Sequence, residues 1–335
     1  MLTFTLRRLL LAIPTLLVIS LVIFLLVDLA PGSPLAEIPL TVPPDVRQKM
    51  IEALGADQPV FVRYFLWLRQ FFWVEPAYVL DHWFGTTLAD GEQRILSWQS
   101  RSPVFTIIGQ RLPQTLTVIG TAYLVGILIA VPIGIYSAYR QYSWFDQAGT
   151  LFAMIGFSVP TFFSGTLIII VFAVWLGWFP TKYDTQLVVS DWDSFVKQIK
   201  QMAMPVMTLG LANAAAISRY MRSSMLDNLG MDYVRTARAK GMSERTVVLK
   251  HVLRNSLIPV VTVIALGIPA IFGGAIITEN LFGVNGIGAA LIGAIHGNDL
   301  PMVQTLAFIF AVLIVLFNLI ADILYGLLDP RIRYD

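Results

Sequence analysis

The chain has 335 residues, of which 56% are hydrophobic and 13% are charged, and its mean hydropathy is +0.72. A soluble domain carries about twice that charged fraction, so the composition excludes an ordinary soluble protein and indicates an integral membrane protein. The formal net charge is only +2, which gives no reason to expect nucleic acid as a partner. No cysteine is present, and this excludes disulfides, iron–sulfur clusters and thiol catalysis.

Residues 1–30 predict an N-terminal transmembrane helix. Arg7 and Arg8 end a short basic start, and an apolar run follows from Leu9 to Val27. That run is long for the apolar region of a signal peptide, and no small-residue cleavage site follows it cleanly. We therefore predict an uncleaved first span with its N-terminus in the cytoplasm.

Residues 31–113 have a different character and predict a small extracytoplasmic domain. They mix basic and acidic residues with aromatic side chains such as Trp67, Phe71 and Trp98. A polar segment of this size cannot lie in hydrocarbon. The stretches 46–54 and 61–71 have helical periodicity, so we expect this domain to consist of short helices between the first two spans.

Residues 114–335 predict a core of five further spans, separated by polar or glycine-rich connections. The fold class is therefore an all-α polytopic membrane protein with six transmembrane helices. Ser158, Val159 and Pro160 predict a kink in the third span, and residues 279–301 predict a glycine-rich outer hairpin. The five apolar runs are 115–139, 148–178, 202–220, 258–277 and 302–328, each long enough to cross a bilayer.

The charges assign an orientation to this arrangement. Over the predicted cytoplasmic segments together, 13 basic residues face 7 acidic ones, whereas over the rest of the chain 10 basic residues face 14 acidic ones. Basic residues accumulate on the cytoplasmic side of membrane proteins. The loop at 221–257 and both termini are therefore predicted to be cytoplasmic.

That cytoplasmic loop has the pattern of a docking element. Gly241 interrupts a helical pattern, because glycine accepts the positive φ of a helix C-terminus, and Ser243 is placed to start a second helix. Asp232, Arg235 and Arg238 lie away from the apolar side of the first helix. That side is formed by Leu226, Leu229, Tyr233 and Ala237, and the apolar side of the second helix by Val248, Leu249, Val252 and Leu253.

The segments YVRTARAKG and HVLRNSLIP resemble the EAA loop of ABC-importer membrane subunits, in the form found in the oligopeptide, dipeptide and nickel permease family. Arg235 and Thr236 stand where Glu and Ala are usual, whereas Ala237 and Gly241 match. The segments PGSP, WFGTT and RLPQTL resemble the same family. The resemblance implies the type I ABC importer permease fold. It also implies that the ATPase-coupling residues are Asp232, Tyr233, Arg235, Thr236, Ala237, Arg238, Lys240, Gly241 and Ser243.

Partners and location follow from the same resemblance. It implies a second, homologous permease subunit, two cytoplasmic ABC ATPases and an extracytoplasmic substrate-binding protein, in a bacterial cytoplasmic (inner) membrane. The ATPases would carry ATP and magnesium, and this chain would hold no cofactor. Peptides are the expected cargo, with nickel chelates, glutathione or oligosaccharides as alternatives.

Three residues are candidates for the pathway or its gates. Pro160 lies in a predicted span, where prolines are tolerated if a helix kinks around a cavity. Glu279 and Asn280 end the fifth predicted span on its outer side. They either line an outer gate or cap that helix at the water boundary, and the sequence does not decide between these two interpretations.

Other functions find little support in the sequence. The GxxxxGK[ST], HExxH and GxSxG motifs are absent, and His82, His251 and His296 are scattered over different regions, so we predict no catalysis and no metal site in this chain. A secondary transporter acting alone would favour inverted repeats and paired charges inside the membrane. Neither pattern is found.

Overall fold

The computed structural model describes residues 2–29, 58–272 and 275–328. Helices account for nearly all of this part of the chain, and its only β pairing is one isolated bridge between Leu96 and Pro103. The all-α prediction is therefore confirmed for these residues. The whole segment 31–57, with the predicted helix at 46–54, and the C-terminal tail lie outside the described residues.

The described helices are numbered here in chain order, and several continue into a π-helical turn. The first six are α1 (Leu2–Asp28), α2 (Val60–Arg69), α3 (Glu75–Phe84), α4 (Val104–Thr115), α5 (Thr121–Tyr139) and α6 (Trp144–Ser158). The next five are α7 (Thr161–Ile168), α8 (Trp192–Leu229), α9 (Asp232–Ala239), α10 (Glu244–Thr246) and α11 (Leu253–Phe272). The last three are α12 (Ile276–Phe282), α13 (Ile287–His296) and α14 (Leu300–Leu328). The π-helical turns are Gln70–Val74, Leu116–Gly120, Ile169–Trp175 and Val247–Val252.

Four helical stretches in the described part are long and apolar enough to cross a membrane. They are Thr5–Asp28, Val104–Tyr139, Glu244–Phe272 and Leu300–Leu324. Two bent pairs would raise the number to six: Trp144–Ser158 with Thr161–Trp175, bent by 107°, and Ile276–Phe282 with Ile287–His296, bent by 93°. The first bend lies at the predicted break before Pro160, whereas the six-span count itself stays a prediction.

Two regions differ from what the sequence patterns predicted. The run 202–220 lies inside the 38-residue helix α8, but polar residues such as Thr208 and Asn213 keep α8 out of the apolar set above. The stretch 279–301 is not a hairpin, because α12 and α13 occupy most of it. Its glycines are needed for close packing, as described below, and Gly283 ends α12 with a φ of 73°.

The described chain divides into two compact units. One contains residues 2–11, 112–272, 275–289 and 313–328, and the other contains residues 12–29, 58–111 and 290–312. The second unit includes the part of the predicted extracytoplasmic domain that the structure describes. The domain boundaries given by the sequence stay a prediction.

Helix α8 is the centre of the first unit, and α5 packs closely along it. Small residues recur every fourth position on the buried side of α5, at Gly126, Ala130, Gly134 and Ala138. A Cβ at Gly134 would lie 2.6 Å from the Cβ of Met221 on α8. Small residues at this spacing let two membrane helices approach closely, so this stripe positions the end of α8 that leads into the loop at about 221–257.

Buried polar contacts hold the second unit together. Glu75 is almost fully buried, and its carboxylate accepts hydrogen bonds from the Arg94 guanidinium and the Ile95 amide. The side chain of Asp299 accepts from the Ser97 hydroxyl and from the Trp98 amide at 3.0 Å. Because a buried charge is expensive without partners, these contacts fix the loop at residues 94–99.

Candidate coupling site

Helix α9, here called the docking helix, begins and ends at clear backbone signals. Asp232 lies in its first turn, where a negative charge interacts favourably with the helix dipole. At the other end, Gly241 has a φ of 76°, and its amide donates to Arg238 O at 2.9 Å. Ser243 has extended backbone angles and starts α10. The predicted turn at Gly241 and the predicted helix start at Ser243 are both present.

One side of the docking helix is fully buried. Val234 and Ala237 pack in a cluster with Val247, Val248 and Val252 from the following π-helical turn. Three longer helices contribute to the same cluster: Ala130 and Ala138 come from α5, Ile217, Met221 and Met225 from α8, and Val260 from α11. Ala237 is therefore an anchor of the docking helix and not part of its outer surface. Leu249, placed in the buried side by periodicity, is 48% exposed, and Val247 takes that place.

The other side of the docking helix is exposed and mostly polar. The side chain of Asp232 is 95% exposed and that of Arg235 is 75% exposed, and the two form an ion pair at 3.4 Å. Tyr233, which periodicity placed on the apolar side, is exposed instead, and Val234 takes the buried place. The Tyr233 hydroxyl donates to the Asn228 side chain, and the Thr236 hydroxyl donates to Asp232 O. The predicted coupling residues on this exposed side are Asp232, Tyr233, Arg235, Thr236, Arg238 and Lys240, followed by Gly241 and Ser243 in the turn. A charged surface on a rigidly anchored helix is suited to binding another protein.

Arg238 has a partner within the chain that the sequence did not predict. Its guanidinium donates to both carboxylate oxygens of Glu244, at 3.1 and 2.6 Å, across the turn at Gly241. The hydrogen bond that Arg238 donates to Glu244 raises the pKa of Arg238 above its already high value, so this side chain stays charged. Charge spacing along one helix could not reveal the pair, because the turn brings the two residues together.

We predict that Arg238 acts by closing the turn at Gly241. Arg238→Glu places two carboxylates opposite each other, and an exposed pair of this kind contributes about 0.2–1 kcal/mol. Binding of the cytoplasmic partner, measured by its co-purification, should therefore fall roughly two- to fivefold. The exchanged double variant Arg238→Glu/Glu244→Arg should restore it. If the exchange binds as weakly as the single variant, Arg238 contacts the partner directly.

The segment after the turn is continuous with a membrane helix. The sequence predicted a second short helix here, but residues Glu244–Phe272 form one 29-residue helical stretch. No glycine separates its two parts, and a proline such as Pro259 bends a helix without ending it. The segment that follows the turn is therefore part of the same helical stretch as the predicted fifth span.

A reciprocal serine contact joins the two helices that flank the docking helix. The Ser224 hydroxyl on α8 donates to Ser256 O at 2.8 Å, and the Ser256 hydroxyl on α11 donates to Ser224 O at 3.1 Å. Both side chains are buried. The contact was not anticipated, since isolated serines in apolar runs carry no distinctive pattern. It holds α8 and α11 together where the docking helix leaves and rejoins them.

Glu279, one of the gate candidates, is completely buried. Its carboxylate accepts from the Thr115 hydroxyl at 2.8 Å and from the Ala289 amide at 2.9 Å, and the Thr115 oxygen accepts from the Ile287 amide at 2.8 Å. Glu279 and Thr115 thus bind free amides of the first turn of α13. Gly286 packs against both side chains. The carboxylate holds the bend between α12 and α13. The gate function of Glu279 stays a prediction.

The other two gate candidates are not part of this arrangement. Asn280 is exposed, and its side-chain amide donates to Ile276 O. Pro160 precedes the first residue of α7. Helix α7 packs on α12, since a Cβ at Gly165 would lie 2.6 Å from Leu281 Cδ2.

Among the described residues, no group of three or more His, Asp or Glu side chains could hold a metal ion.

Comparison with known proteins assigns the chain to a family. Residues 130–334 match the profile of the binding-protein-dependent transport system inner membrane component, and residues 1–119 match the profile of the N-terminal part of such components. The chain belongs to this family. This transport component is therefore a multi-pass protein of the inner membrane, from an ABC system that also has a substrate-binding protein and ATPase partners.

Named relatives cover the whole transport component. It is 36% identical over 338 residues to the oligopeptide transport system permease protein AppB of Bacillus subtilis (strain 168), and the match covers 100% of each chain. It is likewise 36% identical to the glutathione transport system permease protein GsiC of Escherichia coli (strain K12), again with 100% coverage of each. A solved amino acid ABC transporter matches at 13% identity with a TM-score of 0.47, over 66% of this chain and 94% of that one. A match that weak supports no conclusion.

Proposed function

We propose that this chain is the permease subunit of an ABC importer and forms half of the translocation pathway for peptides. The docking helix is the observation that carries this proposal. Its exposed side offers charges to a partner, while its buried side is packed against α5, α8 and α11. A partner that moves the docking helix must therefore move membrane helices with it, because packed interiors shift as units.

The proposed mechanism uses that connection. ATP-driven dimerisation of the two ATPases draws the docking helices of this permease and of a distinct second permease together. The outer side of the pathway then opens to the loaded binding protein, and hydrolysis resets the complex. ATP and magnesium stay on the ATPases, and this chain performs no catalysis and holds no cofactor.

The orientation is part of the same proposal. The N-terminus, the docking helix and the C-terminus lie on the cytoplasmic side, and the segment before α4 lies outside. The excess of basic residues around the docking helix supports this orientation, because such residues favour the cytoplasmic side of a membrane.

Peptides are the proposed cargo, and glutathione is the second candidate. The full-length similarity to an oligopeptide permease and to a glutathione permease favours these two over nickel chelates and oligosaccharides. Glutathione is itself a modified tripeptide, so both belong to one chemical class. Selection within that class is assigned to the binding protein.

The proposal is tested by reconstitution with the second permease, both ATPases and the binding protein. Proteoliposomes should take up radiolabelled trialanine or glutathione only when ATP and the binding protein are both supplied. Uptake that persists without ATP or without the binding protein would identify a secondary transporter and contradict the proposal. Uptake of glutathione alone would select the second candidate.

A further inference from the structure

A partly buried ion pair joins α8, which leads into the docking helix, to a different element; 27% of the Arg222 side chain is exposed. Arg222, on the last turns of α8, donates to both carboxylate oxygens of Asp146, at 2.6 and 2.8 Å. Asp146 lies in the first turn of α6, and only 4% of its side chain is exposed. The two residues are far apart in sequence, and neither belongs to the coupling residues or gate candidates described above.

The same carboxylate also holds a strained turn. Tyr142, between α5 and α6, has a φ of 62°, which is uncommon for a residue with a bulky side chain. Its amide donates to Asp146 Oδ2 at 2.9 Å, and the Asp146 amide donates to the Ser143 hydroxyl at 3.3 Å. Strained backbone persists where its surroundings determine it, and such positions cluster at switch regions.

The geometry therefore connects three elements at one carboxylate: the turn after α5, the start of α6 and the end of α8. A two-pronged contact between a guanidinium and a carboxylate fixes orientation as well as distance, so it resists sliding and rotation. Helix α6 also packs on α8 through Gly156 against Ala215. That apolar contact gives close approach but fixes orientation less strictly than the ion pair.

We propose that Asp146 and Arg222 are positioning residues that transmit movement of the docking helix into the bent pair α6–α7. The inference rests on the proposed function, because it needs a cytoplasmic ATPase to move the docking helix. When α8 follows the docking helix, the ion pair pulls the start of α6 with it. The 107° break before α7 then lets α6 reorient relative to α7.

An ion pair that only stabilises the fold should respond differently to substitution than one that transmits movement. Removing one partner of a largely buried pair leaves the other charge without its partner and destabilises the protein, whereas replacing both with uncharged residues leaves no unpaired charge. Asp146→Asn/Arg222→Gln should therefore restore the melting temperature that each single variant lowers. If the pair only stabilises the fold, the double variant should also restore transport. If the pair transmits movement, transport stays lost in a stable protein.

The experiment measures coupling in the complete reconstituted complex. The binding protein is saturated with a tryptic peptide digest in one arm and with glutathione in the other, and the ratio of stimulated to basal ATP turnover is recorded. We expect the double variant to co-purify with its partners and to melt as wild type does. Its ratio of stimulated to basal ATP turnover should be about tenfold lower than that of wild type. Arg222→Lys, which keeps the charge but not the two-pronged contact, should retain an intermediate stimulation.

Asp227→Asn is the matched control, since it removes an exposed charge from the same helix about one turn later. This variant should keep wild-type stimulation. Wild-type stimulation in the stable double variant would overturn the inference and leave the proposed function intact. A wild-type complex that shows no stimulation in either arm would overturn both.

Discussion

Gly241→Val should leave the membrane fold intact and abolish coupling to the ATPases. Gly241 has a φ of 76°, and a β-branched residue there is strained by roughly 1–3 kcal/mol. No atom lies within 4 Å of the position that a Cβ would occupy, so the effect comes from the backbone alone. Relief of that strain tilts the docking helix against the start of α10 and breaks the Arg238–Glu244 contact.

We expect Gly241→Val to insert and to pair with the second permease, but to lose ATPase binding or binding-protein-stimulated ATP turnover. Gly230→Ala is the matched control, because Gly230 lies before the docking helix with a φ of −83°, which alanine adopts freely. It should behave as wild type. Normal stimulation in Gly241→Val would show that the turn does not set the angle of the docking helix.

Gly286→Ala should destabilise the protein strongly, although it adds a single methyl group. The new Cβ would overlap the Glu279 carboxylate and the Thr115 hydroxyl. Neither can withdraw, because Glu279 holds the Thr115 hydroxyl and the Ala289 amide at once. Overpacking of this kind costs about 1–3 kcal/mol, so the melting temperature of the purified protein should fall by roughly 3–10 °C.

Gly293→Ala, inside α13, provides the comparison. No atom lies within 4 Å of a Cβ at Gly293, and replacing a helical glycine with alanine stabilises a helix by up to about 1 kcal/mol. Its melting temperature should stay the same or rise. Equal melting temperatures for the two variants would mean that the buried Glu279 cluster does not hold α13 in place.

Local backbone chemistry made part of this structure predictable. The turn at Gly241 and the break at Pro160 follow from what glycine and proline do to φ and to helical hydrogen bonds. The apolar runs gave the positions of α1, α5 and α14, because a bilayer demands their length. These features depend on residues within a few positions of one another, which is the range over which sequence patterns are informative.

Contacts between distant residues were not predictable in the same way. The Arg238–Glu244, Asp146–Arg222 and Ser224–Ser256 contacts each depend on how helices meet in three dimensions. Glu279 is the clearest example of a residue whose surroundings the sequence pattern did not predict. A carboxylate after an apolar run suggested a residue at the water boundary, and only the return of α13 buries it. Residues 286 and 288 are glycines, and a Cβ at either position would overlap the Glu279 carboxylate.

The central claim is that the exposed side of the docking helix binds the cytoplasmic ATPase, and site-specific cross-linking tests it most directly. The chain contains no cysteine, so Arg235→Cys can be labelled uniquely with a benzophenone maleimide before the ATPases are added. Leu211→Cys, at an exposed position on α8 within the predicted fourth span, is the control. Irradiation should join the Arg235 position, and not the Leu211 position, to an ATPase subunit. An adduct at both positions, or at neither, would contradict the assignment of the docking helix and its cytoplasmic orientation.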